Sequence, residues 1–314
     1  MPGDTVTVIG EALVDLVEGS RDAAGHVCYT AHLSGSPLNV AVGLARLGQP
    51  TQFLARFSHD TFGRRLRDFA ERNGVGLAGA VDAPQPSTLA VVNLNEQRKA
   101  RYDFYLEGSV DWQWHPDELV VPDGTAILHA GSLAAWTPPG AEHVLATMRR
   151  RRTAGLVSYD PNVRPALLGT PARARPLVEA AVAAAHLIKA SDDDIAWLYP
   201  GEQPADTARR WLDLGSTAVV ITRGAVGAVG YRRDADPLEQ PARPVRLVDT
   251  IGAGDAFTSG LLDALARAGV RDPVSLAAAD LGAALDEAVV VAALTCERAG
   301  ADPPTTAELA RARQ

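Results

Sequence analysis

The chain has 314 residues, of which 46% are hydrophobic and 22% charged, with a formal net charge of -8. That length and composition suit a globular protein able to bury a large core without staples, and the acidic balance argues against nucleic acid or an anionic membrane surface as the main partner. Two cysteines, the lack of a basic segment leading into an apolar run near Met1, and the lack of any apolar run of the roughly 18 residues that span a bilayer point to unpaired thiols and a cytoplasmic location.

Taken in chain order, short β-rich apolar runs alternate with amphipathic stretches. Val6–Gly10 reads as a buried strand and Pro37–Leu47 as a helix that Gly48 ends. Gln52–Phe57 reads as a strand, Phe62–Asn73 as a helix stopped by Gly74, and Ala126–His129 as a strand. Pro139–Thr153 is a helix, Leu156–Tyr159 a strand, Ala172–Ala185 a helix and His186–Lys189 a strand. Asp206–Leu214 is a helix, Ala218–Thr222 a strand, and Gly254–Ala268 and Asp286–Arg298 are helices. Strands alternating with helices of this length predict an α/β fold, a mostly parallel doubly wound sheet with helices on both faces. Ligands in such sheets sit beyond the carboxyl ends of the strands, which singles out Asp160, Lys189 and the loop after Val248.

Two regions break the alternation. Thr88–Asn93 and Lys99–Tyr105 read as strands joined by the polar turn Leu94–Arg98, and 12–18 with 27–33 as a second hairpin around Gly25. The expected organisation is therefore an α/β core of residues 1–11, 34–87 and 107–314 with a small β lid of residues 12–33 and 88–106.

The chemistry is concentrated in Val245–Leu262, VRLVDTIGAGDAFTSGLL, which reads as strand, glycine-bearing turn and helix. Gly252 and Gly254 let the backbone turn its N–H groups toward a ligand. The helix that follows presents unpaired N–H groups and the positive end of its dipole, an anion site suited to phosphate. Asp255 lies in the first turn. A carboxylate beside bound phosphate has a use as the base that takes a proton from a hydroxyl attacking that phosphate; the bland alternative is a helix cap. The stretch is neither a Walker loop (no GxxxxGK) nor a dinucleotide fingerprint, because Phe257 stands at the third-glycine position.

The stretch DTIGAGDAFTSGLL resembles the C-terminal signature of the ribokinase-like (PfkB) carbohydrate kinases, matching at Asp249, Thr250, Gly252, Ala253, Gly254, Asp255, Phe257 and Gly260. Ser34-Gly35-Ser36-Pro37-Leu38-Asn39-Val40-Ala41 with Gly43-Leu44-Ala45-Arg46-Leu47-Gly48 resembles the N-terminal signature, with Ser34 in place of the first glycine. The likeness runs from Val8 to about Pro303. Within the family it is nearest the fructokinase group, through Gly10-Glu11-Ala12-Leu13-Val14-Asp15, Ser158-Tyr159-Asp160-Pro161-Asn162-Val163-Arg164-Pro165, Lys189-Ala190-Ser191-Asp192 and Thr222-Arg223-Gly224-Ala225.

The resemblance implies transfer of the ATP γ-phosphate to a sugar hydroxyl, with fructose to fructose 6-phosphate as first choice and 2-keto-3-deoxygluconate, ribose or a nucleoside as alternative acceptors. It implies Asp255 as the base and Gly252, Ala253 and Gly254 as the anion hole. Asp15, Gly35, Ser36, Asn39, Asp160 and Arg164 become sugar-side residues, with Leu89, Arg101 and Phe104 covering the sugar from the lid. Lys189, Thr222, Gly224, Gly227 and Val289 fall on the nucleotide side. Mg2+ would accompany ATP, with Ser191 and Asp194 standing where the family has Asn and Glu, and K+ could bind carbonyls of Asp249 and Ile251. A homodimer through the lid is a further implication. A sugar-binding regulator without turnover is disfavoured by the intact Gly252–Asp255 turn, and a NAD-dependent dehydrogenase by the missing fingerprint.

Overall fold

The computed structural model describes residues 5–94 and 100–313; the turn expected at Leu94–Arg98 and the side chain of Arg101 lie outside the described residues. In chain order the elements are β1 (Thr5–Ile9), β2 (Leu13–Arg21), β3 (Val27–Ser34), α1 (Ser36–Arg46), β4 (Thr51–Leu54), β5 (Arg56–Ser58), α2 (Thr61–Arg72), β6 (Val81–Ala83), β7 (Leu89–Leu94) and β8 (Ala100–Tyr105). There follow β9 (Thr125–Gly131), α3 (Ala141–Arg152), β10 (Leu156–Asp160), α4 (Pro165–Leu168), α5 (Pro171–Ala183), β11 (Leu187–Ser191), α6 (Asp192–Leu198), α7 (Pro204–Asp213) and β12 (Ala218–Thr222). The last part holds β13 (Gly227–Arg232), β14 (Leu238–Pro241), α8 (Ala253–Arg267), α9 (Pro273–Ala278), α10 (Leu281–Cys296) and α11 (Thr306–Ala312).

The large sheet has the order β14-β13-β12-β11-β10-β9-β1-β4. From β4 to β12 every pairing is parallel, and β13 and β14 close one edge antiparallel. Strands covered on both faces read as continuous apolar runs, and every residue of β9 and β10 is buried. Alternation then sorts the side chains into two cores. Val6, Val8, Ile127 and Val220 meet α1, α2, α8 and α10 on one face. Ile9, Leu128, Val157, Val219 and Ile221 meet α3, α5, α6 and α7 on the other. The doubly wound arrangement predicted from the alternation is the one observed.

The differences have local causes. The single strand expected over Gln52–Phe57 is divided at Ala55, because β5 leaves the large sheet to pair in parallel with β6. The last long helix begins at Leu281 rather than Asp286, since the Asp280 carboxylate accepts from the Ala283 N–H at 3.0 Å and starts it earlier. The helix after Pro139 begins at Ala141. The antiparallel edge β13–β14 is not among the expected strands: β13, GAVGYR, is short and glycine-bearing, and β14, LEQP, is mostly exposed.

The two expected hairpins exist as antiparallel pairs β2–β3 and β7–β8. They are joined by parallel pairing of β2 with β7, Val14 opposite Leu89, into a separate sheet of order β3-β2-β7-β8. Both cysteines are free. Among the described residues no helix is long and apolar enough to cross a membrane.

Candidate active site

The carboxyl ends of β1, β9, β10 and β11 face the small sheet across a cleft of about 340 Å3. Two left-handed glycines shape its walls. Gly252, at φ 75°, stands at the N-cap of α8 with no side-chain cap. A Cβ there would lie 2.5 Å from the Cβ of Ala301, so only glycine permits this turn against the loop at residues 299–302. Gly35, at φ 123°, begins α1, and a Cβ there would lie 2.6 Å from the Glu11 carbonyl oxygen. Both glycines face the cleft, as do Gly254, Thr250 and Ile251.

Asp255 does not cap its helix. The Ser36 hydroxyl donates to its Oδ1 at 2.6 Å and the Asn39 amide donates to its Oδ2 at 2.8 Å. Residues more than 200 positions apart thus fix one carboxylate, and the two signature segments form one site. Burial raises the Asp255 pKa, and the Asp160 charge adds to the rise, against the bonds from Ser36 and Asn39 and the nearby Lys189 cation. Ser36 and Asn39, assigned to the sugar by the resemblance, have Asp255 as their partner here.

Lys189 and Asp160 form a buried ion pair at 2.9 Å. Burial pulls the lysine pKa down, but Asp160, with Asp194 and Asp255, holds it above its usual value. Its ammonium lies 3.2 Å from where a Cβ on Gly254 would stand, directly against the turn. The resemblance puts Lys189 on the nucleotide side and Asp160 on the sugar side; the structure pairs them. Asp160 also accepts from the Asn162 N–H at 3.0 Å.

Asp15, Phe104 and Arg164, expected on the sugar side, also line the cleft. Burial raises the Asp15 pKa against the Ser34 hydroxyl, His32 and Arg164. Arg164 donates to Asn162 Oδ1 at 2.7 Å. Leu89 instead packs against the core. The lining residues that the sequence reading gave no role include Tyr102, which stacks on Phe104 at 5.8 Å, Asn162 and Glu11. Strand alternation through Phe104 would have pointed to Tyr102, two residues away on the same face of β8. Burial pushes the Glu11 carboxyl up to about 8, against bonds from Ser132 and Ala134.

The remaining expected residues lie elsewhere. Asp194 closes a capping box with Ser191, and its oxygens accept from Ser191 N at 2.9 Å and Val163 N at 2.8 Å. Asp249 accepts from Ile251 N at 3.0 Å and Gly300 N at 2.8 Å, pinning the turn. Thr222, Gly224 and Gly227 stand at the end of β12 and in the turn to β13. That turn abuts the strand at 240–242, as Ala242 N donates to Val226 O at 3.2 Å. A second hollow of about 430 Å3 follows on, between Arg243–Val245 and the Asp286, Val290 and Ala293 face of α10. Val289 is not part of it; it is buried in the core. His129 is a core histidine, held neutral by burial with its pKa near 3 and within 3.2 Å of Ser158 Oγ.

Comparison with known proteins agrees with this geometry. The family model described as pfkB family carbohydrate kinase matches residues 4–308. A fructokinase of Rhizobium leguminosarum bv. trifolii is 33% identical over 259 residues, 82% of this chain and 78% of that protein. Among solved structures, fructokinase with bound ATP from Xylella fastidiosa superposes with a TM-score of 0.89 at 26% identity, covering 98% of each chain. A double mutant of Vibrio cholerae O395 fructokinase, in fructose, ADP and potassium ion bound form, gives a TM-score of 0.85 at 27% identity, covering 99% of this chain and 98% of that one. The chain belongs to the pfkB family of carbohydrate kinases and is a phosphotransferase acting on a sugar hydroxyl.

Proposed function

We propose that the acceptor is fructose, phosphorylated from ATP at its 6-hydroxymethyl group, and that the cleft between the phosphate turn and the small sheet holds the reacting atoms. The observation that carries this reading is the position of Asp255. Its carboxylate is aimed into the cleft by Ser36 and Asn39 at the uncapped N-terminus of α8, with the Lys189 cation on the same turn.

The mechanism follows from charge and position. The sugar is held by Asp15 and Arg164, whose opposite charges suit vicinal hydroxyls as acceptor and donor, under the rings of Tyr102 and Phe104. Asp255 accepts the proton of the attacking hydroxyl. Two hydrogen bonds keep its oxygens oriented, and burial raises its pKa, which makes its carboxylate a stronger base than a solvated aspartate. The N–H groups at Gly252–Asp255 and the helix dipole receive the transferring phosphoryl. Lys189 adds a fixed positive charge there, and Asp160 keeps it in place. ATP extends from this turn past Thr222–Gly227 to the hollow beside Val290 and Ala293, where the base packs on small apolar side chains.

Mg2+ fits as an ion carried by the nucleotide phosphates, which keeps most of its own waters; Asp160 and Asp194 are the carboxylates near Lys189 that would orient those waters. K+ fits the outer side of the turn. There the N–H groups of Ile251 and Gly300 fix the Asp249 side chain, and the carbonyls of Asp249 and Ile251 would be the ligands of the cation. The likeness to a potassium-bound neighbour supports this site. We place the enzyme in the cytoplasm, as a homodimer through the small sheet acting as a lid.

The test is an ADP-release assay with Mg-ATP, with and without K+, across fructose, 2-keto-3-deoxygluconate, ribose, tagatose and adenosine. The expected result is a kcat/KM for fructose at least tenfold above any other acceptor. Preference for 2-keto-3-deoxygluconate would move the function to an acid-sugar kinase, with Arg164 meeting the carboxylate.

A further inference from the structure

The small sheet leaves the large one at Ala12, between β1 and β2, and at Thr88, just before β7; its last strand, β8, returns through Leu106. One buried carboxylate gathers all three points. Asp111, 1% exposed on the short turn Val110–Trp112, accepts the Ala12 N–H at Oδ1, 2.9 Å away, and its Oδ2 contacts the Thr88 hydroxyl. Thr88 Oγ1 is 2.7 Å from Ser109 Oγ, and Ser109 Oγ is 2.7 Å from the Leu106 carbonyl oxygen. The Val14 N–H donates to the Thr88 carbonyl at 3.1 Å, so the two outgoing strands are also tied to each other.

Counting hydrogens decides the state of this chain of contacts. The Leu106 carbonyl only accepts, so the Ser109 proton belongs there. The Thr88 proton then goes to Ser109, since each hydroxyl has one proton to give. The contact between Asp111 and Thr88 is a hydrogen bond only when Asp111 carries the proton and donates it. With an ionised Asp111, one of the three contacts has no hydrogen. The charged neighbours agree. Glu11, adjacent to Ala12, is the other acid facing this point, and its charge would repel a second one. Arg56 of β5 is the cation nearby, and it is engaged by Glu118 and by the Val110 carbonyl. Burial holds the Asp111 pKa up near 7, against the Ala12 N–H and the Arg56 cation.

We propose that Asp111 is a positioning residue that works in its protonated form, fixing the small sheet so that Asp15 and Tyr102 meet the acceptor while taking no part in phosphoryl transfer. This rests on the cleft being the sugar site. Asp15 follows Ala12 by three residues on β2, and Tyr102 lies on β8, paired with Val92 of β7. A small rotation at Ala12 and Thr88 displaces both side chains relative to Asp255, which belongs to the other body of the cleft.

The test compares Asp111→Asn with Asp111→Val at pH 6.5 and 8.5, with fructose and Mg-ATP as probes. Asparagine reproduces the protonated acid: its oxygen accepts from Ala12 and its N–H2 donates to Thr88. The expected result is a sugar KM within twofold of wild type for Asp111→Asn at pH 6.5, with a smaller rise at pH 8.5 than wild type shows. Asp111→Val should raise the sugar KM about tenfold at both pH values, leaving the ATP KM within twofold. A several-fold rise in sugar KM for Asp111→Asn at pH 6.5 would mean the ionised form is needed and overturns the proposal. So does an unchanged sugar KM in Asp111→Val or, if that variant does not fold, in Thr88→Val. Melting temperature needs no substrate: Asp111→Asn should melt at or above wild type at pH 8.5, and a drop of several degrees refutes the proton. A wild type that phosphorylates none of the sugars refutes the site reading instead, and the melting result still decides the protonation.

Discussion

The two walls of the cleft are built in opposite ways. The wall proposed to meet phosphate is one continuous segment, Asp249–Asp255, whose two carboxylates are each fixed by two hydrogen bonds: Asp249 by Ile251 and Gly300, Asp255 by Ser36 and Asn39. The Lys189–Asp160 pair backs it from the large sheet. The acceptor wall is scattered over β2, β8 and the loop after β10, and its position depends on how a separate four-stranded sheet meets the core. A site with one invariant reactant and one variable reactant has reason to be made this way. Backbone amides and a helix terminus recognise phosphate whatever the acceptor, whereas Asp15, Tyr102, Phe104 and Arg164 can change without disturbing the turn. The contrast predicts that lesions in the first wall lower kcat and lesions in the second raise the sugar KM.

The largest effect should come from Asp255→Asn. Loss of the general base should lower kcat by roughly 10²–10⁴, with the sugar KM changed less than about threefold, both read from steady-state kinetics. A mutant turning over near the wild-type rate would remove Asp255 from the chemistry. Lys189→Met should lower kcat by about 10² through loss of the fixed charge at the turn. It also leaves Asp160 unpaired in the interior, which costs about 3–5 kcal/mol when one partner of a buried pair is removed. The double variant Lys189→Met, Asp160→Asn separates the two roles: melting temperature should recover substantially and kcat should not. Recovery of both would make the pair a structural element only.

Legibility in the sequence follows the same division. The turn at Gly252–Asp255 could be read because its chemistry is local: two glycines, a helix start and a carboxylate within a few residues. The parallel sheet could be read because β9 and β10 are apolar on both faces. Long-range partnership could not. Nothing in the spacing says that Ser36 and Asn39 orient Asp255, that Asp160 and Lys189 neutralise each other, or that Asp194 accepts from the Val163 N–H. Each of these is a contact between segments whose approach only the fold defines. Tyr102 escaped notice for a different reason. It is two residues from Phe104 on β8 and so shares its face of the strand, a signal that the assignment of Phe104 to the sugar already carried. Glu11 and Asp111 show the limit of charge as a guide, because both are acids in the interior, where burial rather than sequence sets their state.

On the acceptor wall, Tyr102→Leu should raise the sugar KM about three- to tenfold, the loss of one hydroxyl contact and part of a ring stack. The ATP KM should stay within twofold. A change of kcat instead, at constant sugar KM, would mean that the two walls are not separable as described.

The smallest effect should be a pH dependence of stability set by the acids held neutral at the junction of the two sheets. Burial raises Glu11 to about 8 and Asp111 to about 7, well above the 4.5 and 3.8 they have when exposed. A group with a raised folded pKa keeps its proton in the native state where the unfolded chain has lost it. Stability contributed by that proton is therefore lost as pH rises from the unfolded value to the folded one, and is constant above it. The buried histidines act the other way: His186 and His129 stay neutral with pKa values near 4 and 3, so they favour unfolding only below their ordinary value of 6.5. Between pH 7 and 8.5 only the acids act, chiefly Glu11, over about one pH unit. One proton over one unit is about 1.4 kcal/mol, or about 2–3 °C for a domain of this size. Thermal melts should therefore place the wild type about 2–3 °C higher at pH 7 than at pH 8.5, and Glu11→Gln should remove most of that difference. A melting temperature that does not fall with pH over this interval would show that Glu11 is already ionised in the native state at pH 7, and that the junction between the two walls is held by charge.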